Sequence, residues 1–373
     1  MGALLWATST WATDLRVATY NASLNRAGPG LLLRDIRSGK DPQILNVIRI
    51  LKEVRPDILL INEFDHDRDG VALIAFAEAL AQGEDGLEYP YRFAGPSNTG
   101  QPSGLDLDDN GRTTDPQDAY GYGRFPGQYA MALLSRFPLD QTGLRTFRTL
   151  RWRDLPDAEM PQRADGTPFP SQEVHDTVRL SSKSHWDIPV LIDGAALHIL
   201  AAHATPPVFD GPEDFNGLRN AAEIQFFINY LNGTSFEDDQ GSDQAFGGQN
   251  AVVLGDLNAD PVDGDGRHDA INALLSHPRL LDPKPRSDGG AAVPQTEANA
   301  RHRGAPALDT ADFRDDRGPG NLRVDYVLPT RTLTVRDAGV FWPAPGTEQA
   351  KLLGAGKSRA SDHRLVWVDV TLP

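Results

Sequence analysis

The chain has 373 residues, enough to bury a core, and its 39% hydrophobic fraction with 35 glycines and 28 prolines fits a globular protein of many strands and long loops, not a chain disordered throughout. It contains no cysteine, which excludes disulfides, thiolate metal sites and a cysteine nucleophile. The 36 basic against 52 acidic side chains give a formal charge of -16, which disfavours a non-specific grip on nucleic acid, although a bound divalent ion can locally reverse the sign of an acidic cleft.

Met1 to Ala12 is apolar, with Leu4, Leu5 and Trp6 ahead of the small Ala12. The remnant of a secretory leader, a wrongly chosen start and an ordinary disordered end all fit; the first would make the protein secreted or periplasmic, and a cytoplasmic location stays open. No run is long enough to span a membrane. Arg16 to Tyr20 reads as a strand with Asn21 at its end, and a loop follows. Ile44, Val47, Ile48, Leu51 and Val54 recur at helical spacing until Pro56 stops the helix, and the buried strand Ile58 to Ile61 runs up to Glu63. A helix around Val71 to Ala81 precedes the Gly-, Pro-, Asp- and Asn-rich stretch Gly83 to Gln128, read as an elaborated surface loop. Tyr129 to Leu134 resumes strand character, and Leu197 to Ala202 and Ala251 to Leu254 are short apolar strands ending at His203 and at Gly255-Asp256. Between these two lies a helix, Phe215 to Leu231, closed by Gly233; a shorter one around Ala270 to Leu275 follows, and Arg364 to Leu372 alternates as a sandwich strand does. No repeat or linker divides the chain, so one mixed α/β domain is expected over residues 13–373, with an insertion near 83–128.

Polar residues at successive strand ends suggest a single rim where several strands deliver side chains into one cleft. Asn21, Glu63, Asp256, Asn258, Asp325, Asp362 and His363 offer oxygen ligands, an imidazole and orienting partners, which suits a hard cation such as magnesium. Taken singly, each has a plainer account: Asn21 and Glu63 as loop residues bonding their own backbone, Asp256-Leu-Asn258 as a surface turn, Asp362-His363 as a cap, His203 as a satisfied core histidine.

The ordered segments Val17-Ala-Thr-Tyr-Asn21, Pro56-Asp-Ile-Leu-Leu-Ile-Asn-Glu63, Ala132-Leu-Leu-Ser-Arg136, Ala202-His203, Gly255-Asp-Leu-Asn258, Val324-Asp-Tyr-Val327 and Ser361-Asp-His363 change that balance. Together they resemble the endonuclease/exonuclease/phosphatase superfamily, which includes pancreatic deoxyribonuclease, abasic-site endonucleases, bacterial sphingomyelinases and inositol polyphosphate 5-phosphatases. The resemblance implies a four-layer α/β/β/α sandwich with two packed, mainly antiparallel sheets, in a secreted bacterial-type member. It implies Glu63 as principal metal ligand, Asn21 beside it binding directly or through water, and Asp362 as a further ligand or water-positioning group. It also implies that Asp256 and Asn258 activate or orient the attacking water and contact the phosphate, their one-residue spacing aiming both into the cleft from extended backbone. His203 would hydrogen-bond the scissile phosphate, and His363, oriented by Asp325, would be general base or electrostatic stabiliser.

Two stretches depart from this pattern. Asp106-Leu-Asp108-Asp-Asn110-Gly111 matches the opening half of a calcium loop, but Gln117 stands where a bidentate Glu belongs; a structural Ca2+ bound by Asp106, Asp108 and Asn110 and an ordinary acidic loop both fit. Arg179 to Trp186 places Arg179, Lys183 and Trp186 before the strand Ile188 to Ile192, either as a substrate-side wall or as a solvated strand edge. The expected activity is hydrolysis of phosphate mono- or diesters with Mg2+ or Mn2+, Ca2+ being an alternative ion. An extracellular DNA or RNA nuclease of the same fold is the nearest rival, less favoured by the charge, and a noncatalytic calcium-dependent binding protein is the alternative of a different class.

Overall fold

Near-continuous apolar runs become strands covered on both faces, and the strand ends then carry polar groups to one rim. A computed structural model describes residues 13–373, so the reading of Met1 to Ala12 as a leader remnant, and the secretion it would imply, lies outside the described residues. In chain order the first half contains β1 (Thr13–Asn21), α1 (Leu31–Ser38), α2 (Pro42–Val54), β2 (Ile58–Asn62), α3 (Val71–Leu80), β3 (Tyr91–Phe93), β4 (Met131–Ser135), β5 (Arg145–Thr146), α4 (Gln172–Thr177) and β6 (His185–Ile192). The second half contains β7 (Ala195–His203), α5 (Phe215–Leu231), β8 (Ser235–Glu237), β9 (Asp243–Ala245), β10 (Ala251–Asp256), α6 (His268–Leu275), α7 (Asp288–Ala291), β11 (Ala311–Asp312), β12 (Asn321–Leu322), β13 (Asp325–Pro329), β14 (Thr334–Val340) and β15 (Val366–Leu372).

The larger sheet has six strands in the order β14-β15-β1-β2-β4-β3, the other five in the order β13-β10-β7-β6-β5. Each holds one parallel pair, β1 with β2 and β7 with β10, and its other pairings are antiparallel. Val17, Ile58, Leu60, Leu133, Ile188, Val190, Val252, Leu254, Val366 and Val368 fill one apolar layer shared by the two sheets. The outer side of the larger sheet is covered by α2 and α3 through Val47, Leu51, Leu73 and Phe76, and the outer side of the smaller by α5 and α6 through Ile224, Phe227, Ile271 and Leu274. Each fully buried aliphatic or phenyl side chain contributes roughly 1.5–3 kcal/mol. Among the described residues no helix is long and apolar enough to cross a membrane.

The structure departs from the sequence expectation in two stretches. The loop expected after Asn21 contains α1, which buries only Leu32 and Ile36 and ends at Gly39 with φ 61°, too short for a periodic signal. The 83–128 stretch has only β3 and a single 3-10 turn at Pro116–Asp118, yet it is anchored rather than loose. Its buried Asn98 donates to Arg148 O at 2.7 Å and Ser181 O at 2.8 Å. Gly121 lies so close to the Ser182 carbonyl that a Cβ there would stand 1.8 Å from the oxygen, so only glycine permits the approach.

Candidate active site

Strand register assembles the site. Parallel pairing of β7 with β10 sets His203 opposite Asp256, and antiparallel pairing of β10 with β13 sets Asp325 on the other side of Asp256. In the larger sheet, parallel pairing of β1 with β2 sets Asn21 opposite Asn62, one residue before Glu63. The sheets meet at this rim, where Asn21 Nδ2 donates to Asp256 Oδ2 at 3.0 Å and to Glu63 Oε1 at 3.3 Å. Glu63 leaves the strand with φ 58°, and its other oxygen accepts from Asn25 Nδ2 at 2.7 Å. The segment before β15 closes the ring: Ser361 Oγ donates to Asn21 O at 2.6 Å, Asp362 Oδ1 accepts from Ser23 Oγ at 3.1 Å, and His363 Nδ1 donates to Asp325 Oδ2 at 2.9 Å. Thr310 Oγ1 gives that same oxygen a second hydrogen bond at 2.8 Å.

The two histidines that flank Asp256 are held in opposite states. His363 Nε2 is 3.8 Å and His203 Nε2 3.4 Å from Asp256 Oδ2. Burial pulls the His363 imidazole down, but Asp325 and then Asp256 outweigh it and raise it to about 10, so His363 is an imidazolium at neutral pH. Burial, Lys183 and His363 together push His203 well below its usual value, so it is neutral. Asp256 itself is raised by burial against the opposing charge of His363. Titratable neighbours driven apart in this way are a mark of acid–base sites.

Lys183 is buried at this centre, and among the described residues its ammonium makes one hydrogen bond, to Ala204 O at 3.5 Å, so it has capacity to spare. Burial lowers its basicity, opposed by Glu223, Asp256 and Glu63. Burial raises Glu63, whose hydrogen bonds come from the neutral amides of Asn21 and Asn25. Burial also acts on Asp362, but His363 and then its own backbone bring it below the usual carboxylate range. Glu63, Asn21 and Asp362 are thus hard oxygen donors, the first two joined by amide hydrogen bonds instead of a guanidinium or ammonium, a chemistry that fits a divalent cation. Atoms of Asp256, Asp325 and His363 also lie within 4.8 Å of one another. There, however, His363 and Asp325 are committed to each other, so this trio is an oriented histidine on a carboxylate.

Asn21, Glu63, Lys183, His203, Asp256, Asn258, Asp325, Asp362 and His363 are therefore brought together. Asn258 corrects one expectation: its backbone is left-handed, with φ 50°, not extended. Its N–H donates to Asp256 Oδ1 and its side-chain amide to Ala204 O, each at 3.0 Å, so the turn is itself what places it at the cleft. Trp186 is not a substrate wall. It is 2% exposed, in the layer between the sheets and edge-on to Phe93 at 4.9 Å, because both faces of β6 are covered. Arg179 is turned to the insertion, donating to Asn98 Oδ1 at 2.6 Å and lying 4.0 Å over the Tyr120 ring.

In the acidic loop it is Asp118, with Asp106 and Asp108, whose oxygens fall within 4.8 Å of one another. Asn110 lies beside them, donating its amide to Asp108 at 3.0 Å and Asp115 at 3.1 Å while its oxygen accepts from Arg112 N. Sequence reading missed Asn25 and Thr310, since neither ends a buried strand; only their nearness to Asn21 and to the Asp325 segment marks them.

Among solved structures, an endonuclease/exonuclease/phosphatase from Beutenbergia cavernae DSM 12333 is similar at 17% identity and TM-score 0.52, covering 96% of this chain and 72% of its own. Sphingomyelinase C from Streptomyces griseocarneus is similar at 15% identity and TM-score 0.48, covering 96% of this chain and 99% of its own. Truncated TDP2 from Caenorhabditis elegans is similar at 14% identity and TM-score 0.47, covering 96% and 97%. No curated protein matches the chain. The pattern of the Endonuclease/Exonuclease/phosphatase family matches residues 18–363, and the chain belongs to that family, whose members are generally metal-dependent hydrolases of phosphoesters.

Proposed function

We propose that residues 13–373 form one α/β/β/α-layered domain, with residues 83–128 as an insertion, that hydrolyses phosphate mono- or diesters by in-line attack of water and depends on a divalent metal. The observation that carries this reading is Asp256 Oδ2 standing between neutral His203 at 3.4 Å and charged His363 at 3.8 Å, with the under-satisfied Lys183 beside them. Asp256 orients the attacking water, held with Asn258, and takes its proton as the new bond to phosphorus forms and the bond to the leaving oxygen breaks. His363, kept protonated and in one orientation by Asp325, donates to a phosphoryl oxygen as charge builds on it, while Lys183 and the His203 imidazole contact the other phosphoryl oxygens. Mg2+ or Mn2+ (Ca2+ meets the same oxygens) held by Glu63, Asn21 and Asp362 would supply positive charge opposite the phosphoryl and leaving oxygens.

The test is hydrolysis of bis-p-nitrophenyl phosphate, p-nitrophenyl phosphate and plasmid DNA by metal-stripped protein with each ion restored, beside Glu63→Ala and His363→Ala. Metal-restored turnover that falls by roughly 10³-fold or more in both variants is expected. No turnover on any substrate, or turnover that survives both substitutions, overturns the reading.

One observation favours the nuclease form of this reading. Tyr122 is 49% exposed with its ring centroid 6.2 Å from that of Tyr129, whose N–H donates to Asp65 two residues from Glu63. A pair of tyrosines beside the metal side of the cleft suits stacking against a base, worth about 1–3 kcal/mol per base.

A further inference from the structure

Helix α5 carries a buried polar strip on a face that packing alone would make apolar: Arg219, Asn220 and Glu223 are at most 4% exposed. Each ties the helix to loops of the cleft. Arg219 donates to Leu180 O at 2.9 Å and Tyr120 O at 2.5 Å, and Asn220 to Thr205 O at 2.7 Å and Leu257 O at 2.8 Å. Glu223 makes the most specific link: one oxygen accepts from Ser182 N at 2.7 Å and the other from Thr205 N at 2.6 Å. Ser182 immediately precedes Lys183, and Thr205 follows His203 by two residues, so a single carboxylate fixes the loop entering β6 to the loop leaving β7. The Lys183 ammonium reaches across this junction toward Ala204 O.

We propose that Glu223 is a positioning residue that holds Lys183 against the His203 loop and so sets the distance between the ammonium and the imidazole that share the phosphate. Two backbone donors need two acceptors, and only a carboxylate offers both; glutamine would turn an NH2 toward one of the N–H groups. Glu223 is also the leading charge that offsets the burial of Lys183. The inference rests on the phosphoesterase reading, because it assigns Lys183 to the phosphate.

The test is a double-mutant cycle of Glu223→Gln and Lys183→Met, read as kcat/KM on bis-p-nitrophenyl phosphate with metal restored and with thermal melting as the check of folding. Glu223→Gln should lower kcat/KM about tenfold or more in the wild-type background and less than about threefold where Lys183 is already methionine. Where the glutamine variant does not accumulate folded, Glu223→Asp, which keeps the charge but cannot span both N–H groups, replaces it and should show the same non-additivity. Equal losses in both backgrounds, or an unchanged kcat/KM in Glu223→Gln, overturn the proposal. A wild-type chain silent with every ion sinks the phosphoesterase reading itself, whereas turnover with a multiplicative cycle sinks only the role of Glu223.

Discussion

Two carboxylate clusters invite comparison. At the cleft, Asp256, Asp325 and Glu63 are joined to partners far away in the chain: Asn21 reaches Asp256 across 235 residues and His363 reaches Asp325 across 38. In the insertion, Asp106 and Asp108 bond mostly to residues two to five positions away, namely Asn110 and Gly111. The first cluster is buried and poised against imidazoles and an ammonium; in the second Asp108 is exposed and closes a turn on itself. The difference teaches that acidic density in a sequence says little, and that function follows where the fold spends long-range contacts to keep charged groups dry and opposed.

Substitutions can break or sharpen that contrast. The largest effect is expected for Asp325→Asn, which removes the charge that keeps His363 protonated and oriented; kcat on the diester should fall roughly 10²–10⁴-fold while the melting curve still shows one cooperative transition. Thr310→Val takes a donor from Asp325 and leaves the N–H groups of Val324 and Asp325 without their acceptor. A loss of about 1–3 kcal/mol in urea unfolding with about tenfold lower kcat is expected.

Asp309 sharpens the comparison from the side of stability. It lies beside the cleft segment, and burial followed by Asp260 and Asp263 raises its carboxyl to about 7. A folded pKa above the unfolded one means the native state binds the extra proton, so stability is fully present near pH 4 and is lost as pH rises toward 7. Asp309→Asn should therefore gain about 1–3 kcal/mol over wild type at pH 8 and nothing at pH 4, as read by chemical unfolding at the two pH values. At the small end, Asp108→Asn should leave kcat/KM within about twofold and stability within about 0.5 kcal/mol, and a larger loss of activity would place the insertion cluster in the chemistry after all.

Much of this is legible in the amino-acid sequence. Ile58 to Ile61 and Ala251 to Leu254 are buried on both faces, so their apolar runs announce strands, and the polar residue after each run announces the rim. What stayed hidden has physical causes. Trp186 belongs to a strand covered on both sides, where alternation cannot tell an inward residue from an outward one. Glu223 sits in a helix, where a lone acid looks like part of the solvated face until the loops it grips are in place. Asn258 looks as though it could be either turn or ligand because it is held at the cleft by the turn, which residue spacing does not reveal.

The left-handed backbone at the cleft has a bearing on how such proteins change over time. Glu63, Tyr129 and Asn258 have φ of 58°, 58° and 50°, a region that costs a side-chain-bearing residue roughly 1 kcal/mol compared with glycine. On the mechanism proposed above, activity would require refusing that relief at Glu63 and Asn258. A lineage that no longer needed the reaction would be expected to drift toward glycine at these positions first, gaining a little stability as it did so. Glycine at residues 63 and 258 would then be a fossil of lost catalysis, readable in a relative's sequence without an assay.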